Sequence, residues 1–426
     1  MIHRKPYDNG LVVVCKEVLG RSVTSLIVGI NVGSKNDPER QEGCAHLLEH
    51  MLFSSNEFRT QSEIVEAGEF SGMNFNAHTS KISTEMEFIL PSEQLRLALE
   101  LAYQSVLSRE CCEEELHREK TGPVTDELRK NEMKLEKKFF VRVMYPRVFL
   151  GTPFDHAVIG TLDSLKNLTL SDLIKMKDMF YVPNNMVISA AGSLNPDLFF
   201  SEIESSFATM NRSVVVQPEI NWTLTPGVEY VVFPELKGSD KDHDHAYLHI
   251  IYQVNPPNSV DSSCLSLISY MIGQGHTSLL FKKLRNERGI GYSPSASYSS
   301  LEQCATFRVG LSGLHPLKIE ESAQVMFKII DDIKQGNLTD DFLEGKKNQL
   351  ISNLLIGMET EVGNSTYLMG SEFREYVYKT PELLIEAIRK ITREQVQDVA
   401  QRNFSREPLI VIASAPGYKN IFTQYQ

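Results

Sequence analysis

The sequence predicts two tandem α+β units, each a mainly antiparallel sheet with helices packed on one face, and three observations predict it. A capped helix start recurs, as Thr169-Leu170-Ser171-Asp172 in the first half and Thr392-Arg393-Glu394-Gln395 in the second. In each the threonine hydroxyl can accept from an unpaired amide of the first turn. An apolar strand follows each helix, at 186–191 and at Leu409–Ser414, and cap and strand are both displaced by 223 residues. A constant offset over that span is the mark of homologous units in tandem. Finally, short β-branched runs alternate in polarity as half-buried strands do. The 426 residues divide on this reading into a first domain at 1–209, a linker at 210–226 rich in polar and turn residues, and a second domain at 227–426.

Taken in order, 11–14 and 25–32 read as strands, the second closed by the turn Gly33-Ser34-Lys35-Asn36-Asp37-Pro38. A helix follows over Gly43-Cys44-Ala45-His46-Leu47-Leu48-Glu49-His50-Met51-Leu52-Phe53. A short helix at 61–67 leads to a hairpin at 73–79 and 83–90, and two helices come next, at 91–107 and from 113 to about 144. The capped helix from Thr169 ends near Tyr181-Val182-Pro183, and a helix from Pro196 to about Phe207 completes the first unit.

The 43–53 helix carries the chemistry. His46 and His50 lie one turn apart on one face, and Glu49 flanks that face. Two imidazoles so placed can share one metal ion, and zinc in a hydrolytic site takes three protein ligands while a nearby carboxylate that is not a ligand accepts a proton from water. Glu49 is the candidate for that base. Apolar side chains wrap most of the helix, so these ionisable groups are buried and need partners: a metal, or a hydrogen-bonded core.

The order His-x-x-Glu-His is the inverzincin arrangement, and with it the chain resembles the pitrilysin, insulin-degrading enzyme and mitochondrial processing peptidase family. The resemblance implies one Zn2+ per chain, with a third ligand from a later helix at Glu127, 77 residues after His50. Relatives carry another glutamate seven residues before that ligand, where this chain has Lys120; Glu119 stands one residue off, and an interruption at Pro123 would let it swing into the role. Phe75-Asn76-Ala77-His78-Thr79 resembles the family's Asn-Ala-x-Thr edge strand, which implies that Asn76 and Ala77 receive the substrate backbone as an added strand. Leu284-Arg285-Asn286-Glu287-Arg288-Gly289-Ile290-Gly291-Tyr292 resembles the segment in which an arginine and a tyrosine hold the substrate, here Arg285 and Tyr292.

The offset places Ser269, Ile272 and Gly273 opposite His46, Glu49 and His50, so the second unit carries no equivalent site. The resemblance therefore implies a zinc-dependent endopeptidase acting on peptides or unstructured segments; the alternative is a non-catalytic partner subunit of the same fold. A chain with one double unit implies a homodimer, or a heterodimer with a related chain, that encloses a chamber. Short bacterial members of this kind include general oligopeptidases and peptidases that trim bacteriocin leaders, as in the subtilosin pathway.

Composition narrows the remaining classes. A net charge of −12 argues against a nucleic-acid partner, and no run reaches the ~18 apolar residues of a membrane span. The first fourteen residues lack the apolar core of a secretory signal, so a cytoplasmic location is expected. Cys15, Cys44, Cys111, Cys112, Cys264 and Cys304 show no metal or disulfide spacing and are expected as free thiols. Asp242-His243-Asp244-His245 with His249 reads as a solvated loop or a second metal site.

Overall fold

The computed structural model describes residues 1–256, 258–374 and 376–418. The chain divides into two compact units, 1–220 with 356–380, and 221–355 with 381–426.

In the first unit, strands β1 (Ile2–Pro6), β2 (Val12–Glu17), β3 (Val23–Ile30), β4 (Asn74–Thr79), β5 (Thr84–Pro91) and β6 (Met186–Gly192) form one sheet in the order β1-β2-β6-β3-β5-β4. Every pairing is antiparallel except β2 with β6. Strands β7 (Gly227–Val232), β8 (Ala246–Gln253), β9 (Ser293–Leu301), β10 (Cys304–Leu314) and β11 (Leu409–Ser414) form the sheet of the second unit, in the order β7-β11-β8-β10-β9. Here too a single parallel pair, β7 with β11, sits among antiparallel ones. The second order repeats the first with the outermost strand missing.

The 223-residue offset extends well beyond the two features that revealed it. Strands β3 and β8 share it from end to end, as do the helices Leu170–Phe180 and Arg393–Asn403. Both helices start in a capping box, with Thr169 paired to Asp172 and Thr392 to Gln395. The helix Ser262–Gly273 ends at the same offset as Cys44–His50.

Each sheet lays one face against helices over a continuous apolar core, which includes Leu26, Val28, Phe88, Leu99 and Leu173 in the first unit and Leu248, Ile250, Ile268, Phe307 and Val399 in the second. The helix Glu361–Phe373 covers part of the other face of the first sheet, where Leu368 and Met369 pack on Val14, Ile27 and Val187. Coverage on both faces is why β6 is buried along its whole length and β3 at all but its first residue. Polar contacts fix the register of this helix: Ser25 and Ser365 share a hydrogen bond of 2.7 Å, Lys16 donates to Asn364, and Arg4 forms a forked pair with Glu372. The expected second domain of 227–426 thus differs from the compact unit, because the helix Glu361–Phe373 buries Leu368 and Met369 on the first sheet. The expected linker divides as well, its first part tied to the first unit where Gln217 donates to Asn31 O.

The single helix expected from 113 to 144 is broken. It runs as Glu113–Thr121, Pro123–Met133 and Leu135–Phe139, then through a π-helical turn at Phe140–Met144. Pro123 has no N–H to continue the ladder, and Gly122 takes φ −108° and ψ −99° at the joint.

Candidate metal centre

The helix Cys44–His50 is only seven residues long, too short to hold its own position, and the surrounding chain fixes its start. Gly43 occupies the left-handed region at φ 91° and supplies no side-chain cap. The Asp37 carboxylate does so instead, accepting from Gly43 N at 2.7 Å and Ala45 N at 2.8 Å, with His156 Nε2 at 3.4 Å from its second oxygen. A Cβ on Gly43 would lie 2.6 Å from Ile159 O, and one on Gly160, also left-handed, 2.1 Å from Glu42 O. Two glycines therefore let the 157–160 loop lie directly on the helix start. Neither Asp37 nor His156 stood out in the sequence, since no spacing rule links a turn aspartate to a helix that begins several residues later.

The helix buries Cys44, Leu47 and Leu48 in the core and turns His46, Glu49 and His50 to the opposite side. One ligand atom from each of these three lies within 4.8 Å of the others, the only such group among the described residues. Glu127, on the helix Pro123–Met133, closes the cluster: its Oε2 is 3.4 Å from His46 Nε2 and 3.8 Å from His50 Nε2. Glu49 Oε2 lies 3.9 Å from His46 Nε2. His46 Nδ1 is buried without a hydrogen-bond partner, so the polar contacts of this ring run through Nε2.

Glu119 supports the cluster from behind, its Oε2 at 3.2 Å from His50 Nδ1. Lys120 turns away and donates to Leu168 O at 2.6 Å and Lys166 O at 3.1 Å. On an unbroken helix, positions eight apart differ by about 80° in direction; the joint at Gly122 re-phases the chain so that Glu119 and Glu127 converge.

The electrostatics follow from these contacts. The rings of His46 and His50 facing it hold the Glu127 carboxyl far below the usual carboxylate range. Burial raises the Glu49 carboxyl, against the opposing pull of the two histidines. For His50, burial opposes the charged form, but Glu127, Glu49 and Glu119 together raise it. Two imidazole nitrogens and one ionised carboxylate oxygen facing a common point form a donor set suited to zinc, with His50 held by an outer carboxylate as metal-binding histidines commonly are.

Strand β4 ends at this cluster. Among the described residues it pairs with β5 alone, which leaves its other edge open, with Asn76 exposed and Ala77 buried. His78 Nε2 bonds Glu85 Oε2 at 2.9 Å and takes no part in the cluster. Thr79 Oγ1 donates to Glu49 Oε2 at 3.4 Å. A cavity of about 790 Å³ opens beside His46, Thr79 and Glu127, walled by apolar side chains such as Leu128, Phe140, Val141 and Ile159 and by charged ones, Glu132, Lys134, Glu136, Lys137 and Lys138.

Arg285 and Tyr292 belong to the second unit. The Arg285 guanidinium donates to Tyr292 O at 3.1 Å and lies 5.1 Å from the Tyr292 ring and 5.0 Å from that of Phe281, leaving the Tyr292 side chain largely exposed. Ser269, Ile272 and Gly273 are buried apolar or small residues of the helix Ser262–Gly273. The acidic and histidine run of this unit is dispersed: His243 pairs with Asp240, Asp244 accepts from Gly238 N and Tyr418, and His249 is buried within β8. All six cysteines are free thiols. Among the described residues, no helix is long and apolar enough to cross a membrane.

Residues 12–159 match the domain described as insulinase, peptidase family M16, and residues 167–350 match the domain described as the peptidase M16 inactive domain. Similar chains include the uncharacterized zinc protease YmxG of Bacillus subtilis, 23% identical over 98% of this chain and 99% of that protein. The uncharacterized zinc protease ML0855 of Mycobacterium leprae is 24% identical over 94% and 88%. The mitochondrial-processing peptidase subunit beta of Caenorhabditis elegans is 23% identical over 92% and 85%. Among solved structures, a protease from Helicobacter pylori superposes with a TM-score of 0.86 at 20% identity, covering 98% of this chain and 99% of that one.

Proposed function

Because the chain belongs to peptidase family M16, we propose that it is a zinc-dependent endopeptidase in which His46, His50 and Glu127 hold the metal and Glu49 is the general base. The observation that carries this reading is the convergence of His46 Nε2, His50 Nε2 and Glu127 Oε2, with the Glu49 carboxylate alongside. When bound, zinc would supply Lewis-acid activation of a water and of the scissile carbonyl.

The remaining steps belong to the chain's own residues. Glu49, buried and beside the ligands without being needed as one, takes the proton from the attacking water and returns it to the leaving amine. Glu119 fixes the ring of His50 through Nδ1 and leaves Nε2 facing Glu127. The free edge of β4 at Asn76 and Ala77 pairs with the backbone of an extended peptide, a mode that favours unstructured segments over folded domains. Its direction delivers that peptide to Thr79 and Glu49. The cavity beside His46 takes a substrate side chain next to the scissile bond.

Arg285 and Tyr292 are proposed as a second substrate-holding pair, supported by the exposure of Tyr292 and by the guanidinium that braces it. We further propose a dimer, with itself or with a related chain, in which this pair of one chain serves the metal centre of the other. Mixing Glu49→Gln with Tyr292→Phe protein tests it: a homodimer sharing sites in trans regains one intact site, and no recovery after demonstrated subunit exchange contradicts it.

The four intact residues of the metal centre favour the enzyme over a non-catalytic partner subunit. The experiment is cleavage of an unstructured peptide by zinc-loaded protein, wild type against Glu49→Gln. Cleavage by wild type alone supports the reading, and equal rates refute it.

A further inference from the structure

The hydrogen bond between the last residue of the edge strand and the candidate base assigns a role to a residue outside the metal cluster. We propose that Thr79 is a positioning residue for Glu49, so that the strand receiving the substrate also orients the base that acts on it. The inference rests on the peptidase reading and names a further residue for that site.

Glu49 stands on a short helix with its side chain about nine-tenths buried, and Thr79 Oγ1 reaches its Oε2 from the side of β4. Thr79 also faces Thr84 Oγ1 at 3.4 Å, its partner in the last rung before the hairpin turn. Thr84, fully buried, commits its own proton to Val32 O at 2.8 Å, so toward Thr79 it can only accept. Thr79 has one proton and two acceptors, a neutral hydroxyl and a carboxylate, and the ionised group is the stronger. The hydroxyl therefore donates to Glu49.

The arrangement is held from behind. Thr84 is locked between β4 and β3, opposite Thr79 on one side and Ile30 on the other. A peptide paired along the free edge of β4 would stiffen the strand that carries the orienting hydroxyl. Substrate docking and base orientation thus meet on one strand.

Thr79→Val removes the hydroxyl and keeps a β-branched shape suited to a strand, and Thr79→Ser restores the donor. With zinc-loaded protein and an unstructured fluorogenic peptide, Thr79→Val should lose about tenfold or more in kcat, with KM within about twofold of wild type and zinc content unchanged. Thr79→Ser should recover to within about threefold of wild type. An unchanged kcat in Thr79→Val, a loss confined to KM, or no rescue by serine overturns the proposal. A crystal structure of Thr79→Val reads the same point without turnover: the Glu49 carboxylate should leave its wild-type position, and a carboxylate still in place overturns the role. If wild-type protein cleaves no peptide, the peptidase reading fails, and this structural comparison still decides whether Thr79 orients Glu49.

Discussion

His50 and Glu119 are joined from Nδ1 to Oε2 at 3.2 Å, although the spacing of this family's pattern places the corresponding acid at the position of Lys120. The break at Gly122 and Pro123 makes up the difference. Glu119→Ala should weaken zinc binding by about 10–100-fold, the usual cost of losing such an outer partner. Adding Lys120→Glu to that variant should restore nothing, because the side chain at 120 points to the carbonyls of Lys166 and Leu168. Competition with a chelating dye measures both affinities.

Glu49→Gln keeps the shape of the side chain and removes its basicity. Turnover should fall by about 10²–10⁴-fold, while zinc content stays at the wild-type level because the three ligands are untouched. Steady-state cleavage with parallel metal analysis separates the two effects.

Asp37 joins two backbone amides and His156 at the start of the helix Cys44–His50 with a side chain that is 0% exposed. Asp37→Ala leaves buried donors without a partner and should cost about 1–3 kcal/mol. For a unit of this size that lowers the melting temperature by about 2–4 °C per kcal/mol. Zinc affinity should fall with it, since His46 and His50 ride on the same helix. Thermal melts with and without zinc check both.

Lys177 is almost fully buried, and burial lowers its amine to about 8 from an ordinary 10.5. Below pH 8 the amine is charged in the folded and the unfolded chain, and the full penalty of burying the charge is felt. Between about 8 and 10.5 the folded chain has released a proton that the unfolded chain still holds, so this residue's contribution to stability rises with pH. Lys177→Met should therefore be more stable than wild type at pH 7, by roughly 3 kcal/mol, and the gap should close as pH rises through that window. Urea unfolding of the two proteins at a series of pH values gives the comparison.

The sequence disclosed what depends on local pattern. The caps at Thr169 and Thr392, the strands β6 and β11, and the helix that carries His46, Glu49 and His50 are each written within a few residues. Contacts made at long range left no such trace. The helix Glu361–Phe373 joins the first unit because Leu368 and Met369 find a sheet face more than 150 residues away in sequence. Asp37 and Thr79 act through the fold of a turn and a hairpin, which no periodicity reports. Glu119 lay between these cases, since its position was visible and the re-phasing at Gly122 was not.

The central claim is that His46, His50 and Glu127 together hold one zinc ion, and metal analysis of protein purified without chelators tests it most directly. The account predicts a stoichiometry near one zinc per chain for wild type and for Glu49→Gln, with a sharp loss for Glu127→Ala, which removes one of three protein ligands. Wild-type protein without zinc, or Glu127→Ala protein that retains it fully, would contradict the account.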